Sequence, residues 1–140
     1  METEEVAESI FHQIRKQQVT SLSKILDEYN RGEIGVLSYL FFDSDNVLAG
    51  KLSEELNVTT ARIASILNSL ENKGLIKRYP NEADKRKTVV GITLEGKKLA
   101  SQVKDDAIKN IKYVIDELGI EDTKEYIRLA NKIKNILIKQ

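Results

Sequence analysis

No cysteine occurs anywhere in the 140 residues, and the only histidine is His12. Without thiols there can be no disulfide framework, no thiolate zinc site and no thiol redox sensor. One imidazole cannot build a histidine-rich zinc site within one chain. Cys–His catalysis is excluded, and a Ser–His–Asp triad would have to use His12, which lies in no recognisable nucleophile motif. No metal, no cofactor and no enzymatic activity are therefore expected. Long apolar runs are missing too, since nothing approaches the roughly 18 consecutive apolar residues of a membrane helix. The opening METEEVAE is acidic and lacks the basic-then-apolar order of a secretory signal. A cytoplasmic location without a membrane partner is the expectation.

Net charge is also lacking, because 22 basic and 22 acidic side chains cancel. By itself this argues mildly against nucleic acid, whose binding domains are usually basic. The charges are nevertheless sorted along the chain. Between Asn72 and Lys87 stand Lys73, Lys77, Arg78, Lys85, Arg86 and Lys87, opposed only by Glu82 and Asp84. Acidic residues collect elsewhere, at Glu2, Glu4, Glu5 and Glu8, around Asp105–Asp106 and from Asp116 to Asp122. Proline appears once and glycine seven times, and hydrophobic residues make up 41%, so a folded chain is expected rather than a disordered one.

What is present is periodicity. From about Glu4 to Tyr29, Val6, Ile10, Ile14, Leu22, Ile25, Leu26 and Tyr29 recur at mostly helical spacing until Arg31 and Gly32 interrupt. A shorter apolar helix carries Ile34, Leu37, Tyr39, Leu40 and Phe41 and ends at the turn-rich Asp43-Ser44-Asp45-Asn46. A long helix is predicted from Leu94 to about Leu118, broken by Gly119, and a final one is striped by Ile127, Leu129, Ala130, Ile133, Ile136 and Leu137. These helices have more apolar surface than a monomer of this size easily hides. Pairing with a second copy solves this most simply, and an intramolecular bundle is the alternative.

The segment Leu52–Gly96 has the order helix, turn, helix, strand, basic turn, strand, helix start. Leu52 and Leu56 point inward from the first short helix, Asn57 suits a left-handed turn position, and Val58 fills the hinge. Thr59 can cap the second helix by accepting from an unpaired backbone N–H. Ile63, Ile66, Leu67 and Leu70 give that helix one apolar face, and Gly74 ends it. Its other face, Ala61, Ser65, Asn68 and Asn72 with Arg62 and Ser69 on one flank, is small, polar and almost without carboxylates. Such a face can approach phosphates and base edges closely; the plainer reading is an exposed helix with modest residues. Leu75-Ile76 and Thr88–Ile92 read as antiparallel strands joined by a wing, Tyr79–Lys87. Asp84, two residues before Arg86, can hold its guanidinium in a forked geometry and aim it, or form an ordinary surface pair.

These residues resemble the MarR (multiple antibiotic resistance regulator) family of bacterial transcription factors. The resemblance is carried by Leu52-Ser53-Glu54-Glu55-Leu56-Asn57-Val58-Thr59, by Leu70-Glu71-Asn72-Lys73-Gly74-Leu75-Ile76, and by Asp84-Lys85-Arg86 followed by Ile92-Thr93-Leu94-Glu95-Gly96. The flanking helices extend it over essentially the whole chain. It implies a mainly α fold with a small β-hairpin wing, a winged helix-turn-helix core flanked by long dimerisation helices. On that scheme residues 1–42 and 95–140 form the dimerisation lobe, and residues 43–94 the DNA-binding lobe. It further implies a homodimer that binds a near-palindromic operator on double-stranded DNA, usually as a repressor. The expected DNA-binding residues are Thr59, Thr60, Ala61, Arg62, Ser65, Asn68, Ser69, Lys73, Asp84, Lys85, Arg86 and Lys87. Within these, Arg62 would take a guanine edge or a phosphate, Arg86 would enter the minor groove, and Lys73, Lys85 and Lys87 would turn towards phosphates.

The resemblance also implies a small aromatic or amphipathic effector, for which Phe11, Ile14, Leu37, Ser38 and Phe41 are candidate wall residues; core packing is the alternative role of each. The absence of Cys and the single His disfavour thiol-oxidation and zinc-sensing mechanisms. The chain departs from the family pattern at Ser65 and Ser69, where many members carry Arg. It departs again at Leu48, where a Thr or Ser often caps the first short helix, so the cap is expected to shift to Asp45 or Asn46. A different class of function is compatible with the zero net charge: a dimeric winged-helix protein-interaction module that does not bind DNA.

Overall fold

The leucines and isoleucines spaced along the central segment converge on one core. The structure, a computed structural model, describes residues 2–16, 22, 26–27 and 31–140. Its elements are α1 (Glu2–Arg15), α2 (Gly32–Ser38) continued by a π-helical turn (Tyr39–Asp43), β1 (Val47–Leu48), α3 (Ala49–Glu55) and α4 (Thr60–Asn72). They continue with β2 (Ile76–Pro80), β3 (Thr88–Ile92), α5 (Leu94–Leu118) and α6 (Ile120–Ile138). The fold is mainly helical with a small antiparallel sheet, as expected. Leu52, Ile63, Leu67 and Leu70 are buried together with Ile76 and Val90 of the sheet and Ala100 of α5. At about 1.5–3 kcal/mol for each large apolar side chain removed from water, this cluster is the main favourable contribution to the winged segment.

Val36, Leu37 and Leu40, from α2 and the turn after it, belong to the same cluster. The expected division at residues 42–43 therefore runs through a single core. α2 packs against α4 and α5 because Gly35 to Ser38 are all buried. Of the first segment, α1 occupies its beginning, Leu22 and Leu26 are half-buried, and Ile25 and Tyr29 lie outside the described residues.

The sheet has the order β1-β3-β2. In the β2–β3 hairpin, Ile76 faces Ile92 and Pro80 faces Thr88. The third strand, β1, pairs Val47 with Val90 and Leu48 with Val89. Two residues are too few to show alternation, so nothing in the sequence announces it. Leu48 stands at the N-cap of α3 without a side-chain cap, and the expected shift to Asp45 or Asn46 does not occur. Those two side chains serve the sheet instead. Asp45 accepts from the Ile92 N–H at 2.9 Å, and Asn46 Oδ1 accepts from the Tyr79 hydroxyl at 2.5 Å. The Asn46 amide occupies space left by Gly91, where an added Cβ would lie 2.6 Å from its Oδ1.

Asn57 adopts the left-handed conformation its place in the turn called for, with φ 51°. The turn is further closed by Ser53 Oγ, which donates to the Val58 carbonyl at 2.6 Å. Thr59 caps α4 by accepting from the Arg62 N–H at 3.1 Å. At the other end, Thr93 ties three elements together. Its N–H donates to the Leu75 carbonyl, its hydroxyl donates to the Gly74 carbonyl at 2.7 Å, and the same oxygen accepts from the Gly96 N–H. Gly96 lies so close that a Cβ there would collide with the Leu75 carbonyl oxygen and stand 2.7 Å from Ile92 Cγ1.

Beyond the core the helices are bare. α1 buries no residue and exposes Val6, Ile10, Phe11 and Ile14, while α6 exposes Ile127, Leu129, Ile133, Ile136 and Leu137. None of the helices in the described residues is long and apolar enough to cross a membrane.

Two glycines should respond in opposite directions to alanine. Gly96→Ala is expected to destabilise by about 1–3 kcal/mol, the scale of forced overpacking, because backbone rather than a flexible side chain blocks the methyl group. Gly50→Ala, within α3 with open space around it, should stabilise by about 0.5–1 kcal/mol through helix propensity. Urea denaturation of both variants checks the pair; equal stabilities would contradict the close packing at Gly96.

Candidate nucleic-acid interface

The apolar stripe of α4 faces the core and fixes which side of the helix remains outside. Ile63, Leu67 and Leu70 are buried, whereas Thr60, Ala61, Arg62, Ser65, Asn68 and Asn72 are exposed. The exposed face carries no carboxylate in its N-terminal half, and the helix N-terminus adds backbone N–H groups and a positive dipole end. Arg62 extends from this half. Thr59, at the cap, uses its oxygen to accept and keeps its hydroxyl hydrogen for another partner.

The C-terminal half of α4 is held from both flanks. On one side Glu33, in the first turn of α2, receives the Ser69 hydroxyl on one oxygen and Lys73 Nζ, at 2.8 Å, on the other. The Lys73 hydrogen bond and then that of Ser69 hold the Glu33 carboxyl below its ordinary value, against a smaller opposing effect of desolvation. On the other side Glu71 accepts from both the backbone N–H and the guanidinium of Arg78 on β2, each at 3.0 Å. Ser69 and Lys73 were both expected among the DNA-binding residues. Both donate to Glu33 of α2, while the Lys73 side chain remains 55% exposed. Nothing in the sequence pointed to Glu33, which lies 40 residues from Lys73.

The wing is built around two side-chain brackets. Asn81 Oδ1 accepts from the N–H groups of Ala83 at 3.0 Å and Asp84 at 2.9 Å, folding the loop back on itself. Asp84 then accepts from the backbone N–H of Arg86 and from both Nε, at 3.0 Å, and Nη2, at 3.2 Å. The forked pair anticipated from the spacing is present. The Arg86 side chain nevertheless remains 91% exposed, so the carboxylate aims it outward rather than hiding it. Hydrogen bonds from Arg86 lower the pKa of Asp84, and Lys87 adds a smaller effect in the same direction. Lys85 and Lys87 are exposed on either side of Arg86. The Asn81 bracket has a sequence signal of its own, since an Asn three residues before Asp84 is an ordinary turn residue.

The candidate ligand residues are not gathered at one place. Phe11 and Ile14 project from exposed α1, Leu37 and Ser38 are buried in the core, and Phe41 lies on the π-helical turn, part exposed. Core packing accounts for Leu37. A different apolar cleft, of about 250 Å³, lies between that turn and α5, lined by Leu26, Phe42, Lys104, Ala107, Ile108 and Ile111. Lys104 Nζ sits 5.5 Å from the centre of the Phe42 ring at its edge. No cluster of three metal-ligating side chains occurs among the described residues.

Comparison with known proteins agrees with this geometry. The family described as Winged helix DNA-binding domain matches residues 33–111, more than half of the chain. The protein therefore belongs to the winged helix DNA-binding domain family. It is similar to the transcriptional regulator HosA of Escherichia coli O157:H7, at 26% identity over 128 residues that cover 89% of this chain and 94% of HosA. Its fold is also that of a MarR family transcription regulator, SP03579, with a TM-score of 0.71, 15% identity, and 99% of this chain and 93% of that chain covered. FabT of Streptococcus pneumoniae, solved in complex with DNA, matches with a TM-score of 0.64, 20% identity, and coverage of 99% and 96%. The resemblance read from the wing and from Ile92–Gly96 thus extends to the fold of the whole chain.

The depressed Glu33 carboxyl makes the α2–α4 contact sensitive to acid. A group held below its ordinary value of 4.5 in the folded state contributes stability that is complete above that value. The contribution is lost as pH falls through the folded-state value. A carboxyl-carbon NMR titration should give Glu33 a midpoint below 4.5, and Lys73→Met should move it upward. A midpoint at or above 4.5 in the unmodified chain would contradict the clamp between α2 and α4.

Proposed function

We propose that this protein is a homodimeric, sequence-specific transcriptional regulator that binds a near-palindromic duplex and acts as a repressor. The observation that carries this reading is the pairing of a carboxylate-free exposed face at the start of α4 with an outward-aimed Arg86 on the wing. Each α4 would enter a major groove by its N-terminal half. There Arg62 meets a guanine edge or a phosphate, Ala61 meets a thymine methyl, and Thr59, Thr60 and Ser65 approach bases and backbone, with Asn68 following just past the midpoint of the helix. Arg86, oriented by Asp84, enters the flanking minor groove, and Lys85 and Lys87 contact phosphates. These contacts suit a bacterial regulator acting in the cytoplasm without catalysing a reaction.

Dimerisation is supported by exposed surface. The chain exposes 10565 Å², whereas a compact monomer of this mass is expected to expose about 7,300 Å². The exposed apolar faces of α1 and α6 supply the surface a second copy would cover. A two-fold dimer then presents its recognition helices to half-sites roughly one helical turn apart. For the effector, the cleft beside Phe42 and Lys104 suits a small amphipathic molecule better than the residues first considered. Its lining is apolar with one cation at the edge.

Selection of bound DNA from a random duplex library should recover a two-fold symmetric site. On that site Arg86→Ala is expected to weaken binding by about 1–3 kcal/mol, measured by fluorescence anisotropy at a fixed moderate salt concentration. Unchanged affinity would remove the wing from the interface. Flat, negligible binding to every duplex would favour the protein-interaction module instead.

A further inference from the structure

The Glu33 clamp joins Ser69 and Lys73, which share a flank at the end of α4, to α2. Both oxygens of its carboxylate are engaged there: one takes Ser69 and the other takes Lys73, one helical turn further on. Around the helix Lys73 lies only about 80° from Ser65, the middle of the exposed face. Its side chain is 55% exposed and its four-carbon stem is long. Nothing but the Glu33 carboxylate is seen to hold its ammonium against α2. Arg78 is held in a similar way, by Glu71. One more free cation would change the grip on phosphates appreciably.

We infer that Glu33 is a positioning residue for DNA recognition, one that withholds the Lys73 ammonium from the phosphates and so keeps sequence-independent binding weak. The inference rests on the DNA-binding reading above. Its physical content is a count. Each phosphate neutralised by the protein contributes about 0.9 to the slope of log affinity against log salt on duplex DNA. With Lys73 withheld, that side chain contributes nothing. Glu33→Gln preserves shape and an acceptor for Ser69 but removes the charge that attracts Lys73, so the ammonium is released towards the backbone of the duplex. Specific contacts from Arg62 and Arg86 are unaltered, and the ratio of specific to unspecific affinity therefore falls.

Binding to an unrelated 20-base-pair duplex should be measured across a salt series for the parent, Glu33→Gln, Lys73→Gln and the double variant. Glu33→Gln is expected to steepen the slope by about 0.9 per protomer engaged, which over a fourfold salt range changes affinity about threefold more than in the parent. Lys73→Gln should leave the parental slope unchanged, and the double variant should return to it. A shallower slope for Lys73→Gln alone would mean that Lys73 already touches phosphate, and the inference fails. It fails equally if Glu33→Gln keeps the parental slope. If Glu33→Gln does not fold, Glu33→Ala, which removes the same charge, takes its place in the series and in the double variant. A parent that shows no salt-dependent binding at all would overturn the DNA-binding reading itself, a result distinct from either failure.

Discussion

The wing, the recognition helix and the long helix α5 depend on one close approach. Gly96 lets the first turn of α5 lie against the backbone at Leu75, where any side chain would meet the carbonyl oxygen. Thr93 completes the junction by capping α5 and donating to the Gly74 carbonyl, just past the end of α4. One threonine thus links the end of the recognition helix, the end of β3 and the start of α5. The Ile92-Thr93-Leu94-Glu95-Gly96 motif is therefore a statement about packing. It fixes the start of α5 against the end of α4 and the backbone at Leu75.

From that junction α4 is held unevenly along its length. Its C-terminal half is gripped by Glu33 from α2 and by Arg78 from β2, while its N-terminal half, anchored in the core by Ile63, has only its cap as a side-chain hydrogen bond among the described residues. Exposed ion pairs of this kind contribute little to stability, with a typical range of about 0–1 kcal/mol. Their consequence is directional: they decide which cations face outward. Lys73 and Arg78 are drawn to neighbouring elements, while Arg86 is paired with Asp84 and still projects from the wing. The zero net charge of the chain conceals this local arrangement. A neutral protein can present a usable cationic surface if its carboxylates aim the cations rather than cover them.

Local features of the sequence were read well and distant ones were not. The cap at Thr59, the left-handed Asn57, the long helix Leu94–Leu118 and the Asp84–Arg86 fork all depend on neighbours within a few residues, and all are present. The contacts that periodicity does not reveal join partners far apart in the chain. Ser69 and Lys73 share the exposed flank by helical arithmetic, but periodicity does not reveal that α2 brings a carboxylate there. Likewise Asp45 and Asn46 look like capping residues, yet β3 and Tyr79 compete for them and win. Strand β1 is too short for any pattern. For the candidate ligand-wall residues the sequence leaves core packing as the alternative, and Leu37 lies in the core cluster.

The central claim is that the N-terminal half of α4 and the tip of the wing form one DNA-facing surface, with the C-terminal half of α4 turned to α2. Backbone NMR of the chain titrated with its selected duplex tests this most directly. The account predicts large shift changes at Thr60–Ser65 and Asp84–Lys87, and small ones at Glu33, Ser69 and Lys73. Changes centred on Lys73 and α2, with the wing tip unaffected, would contradict it.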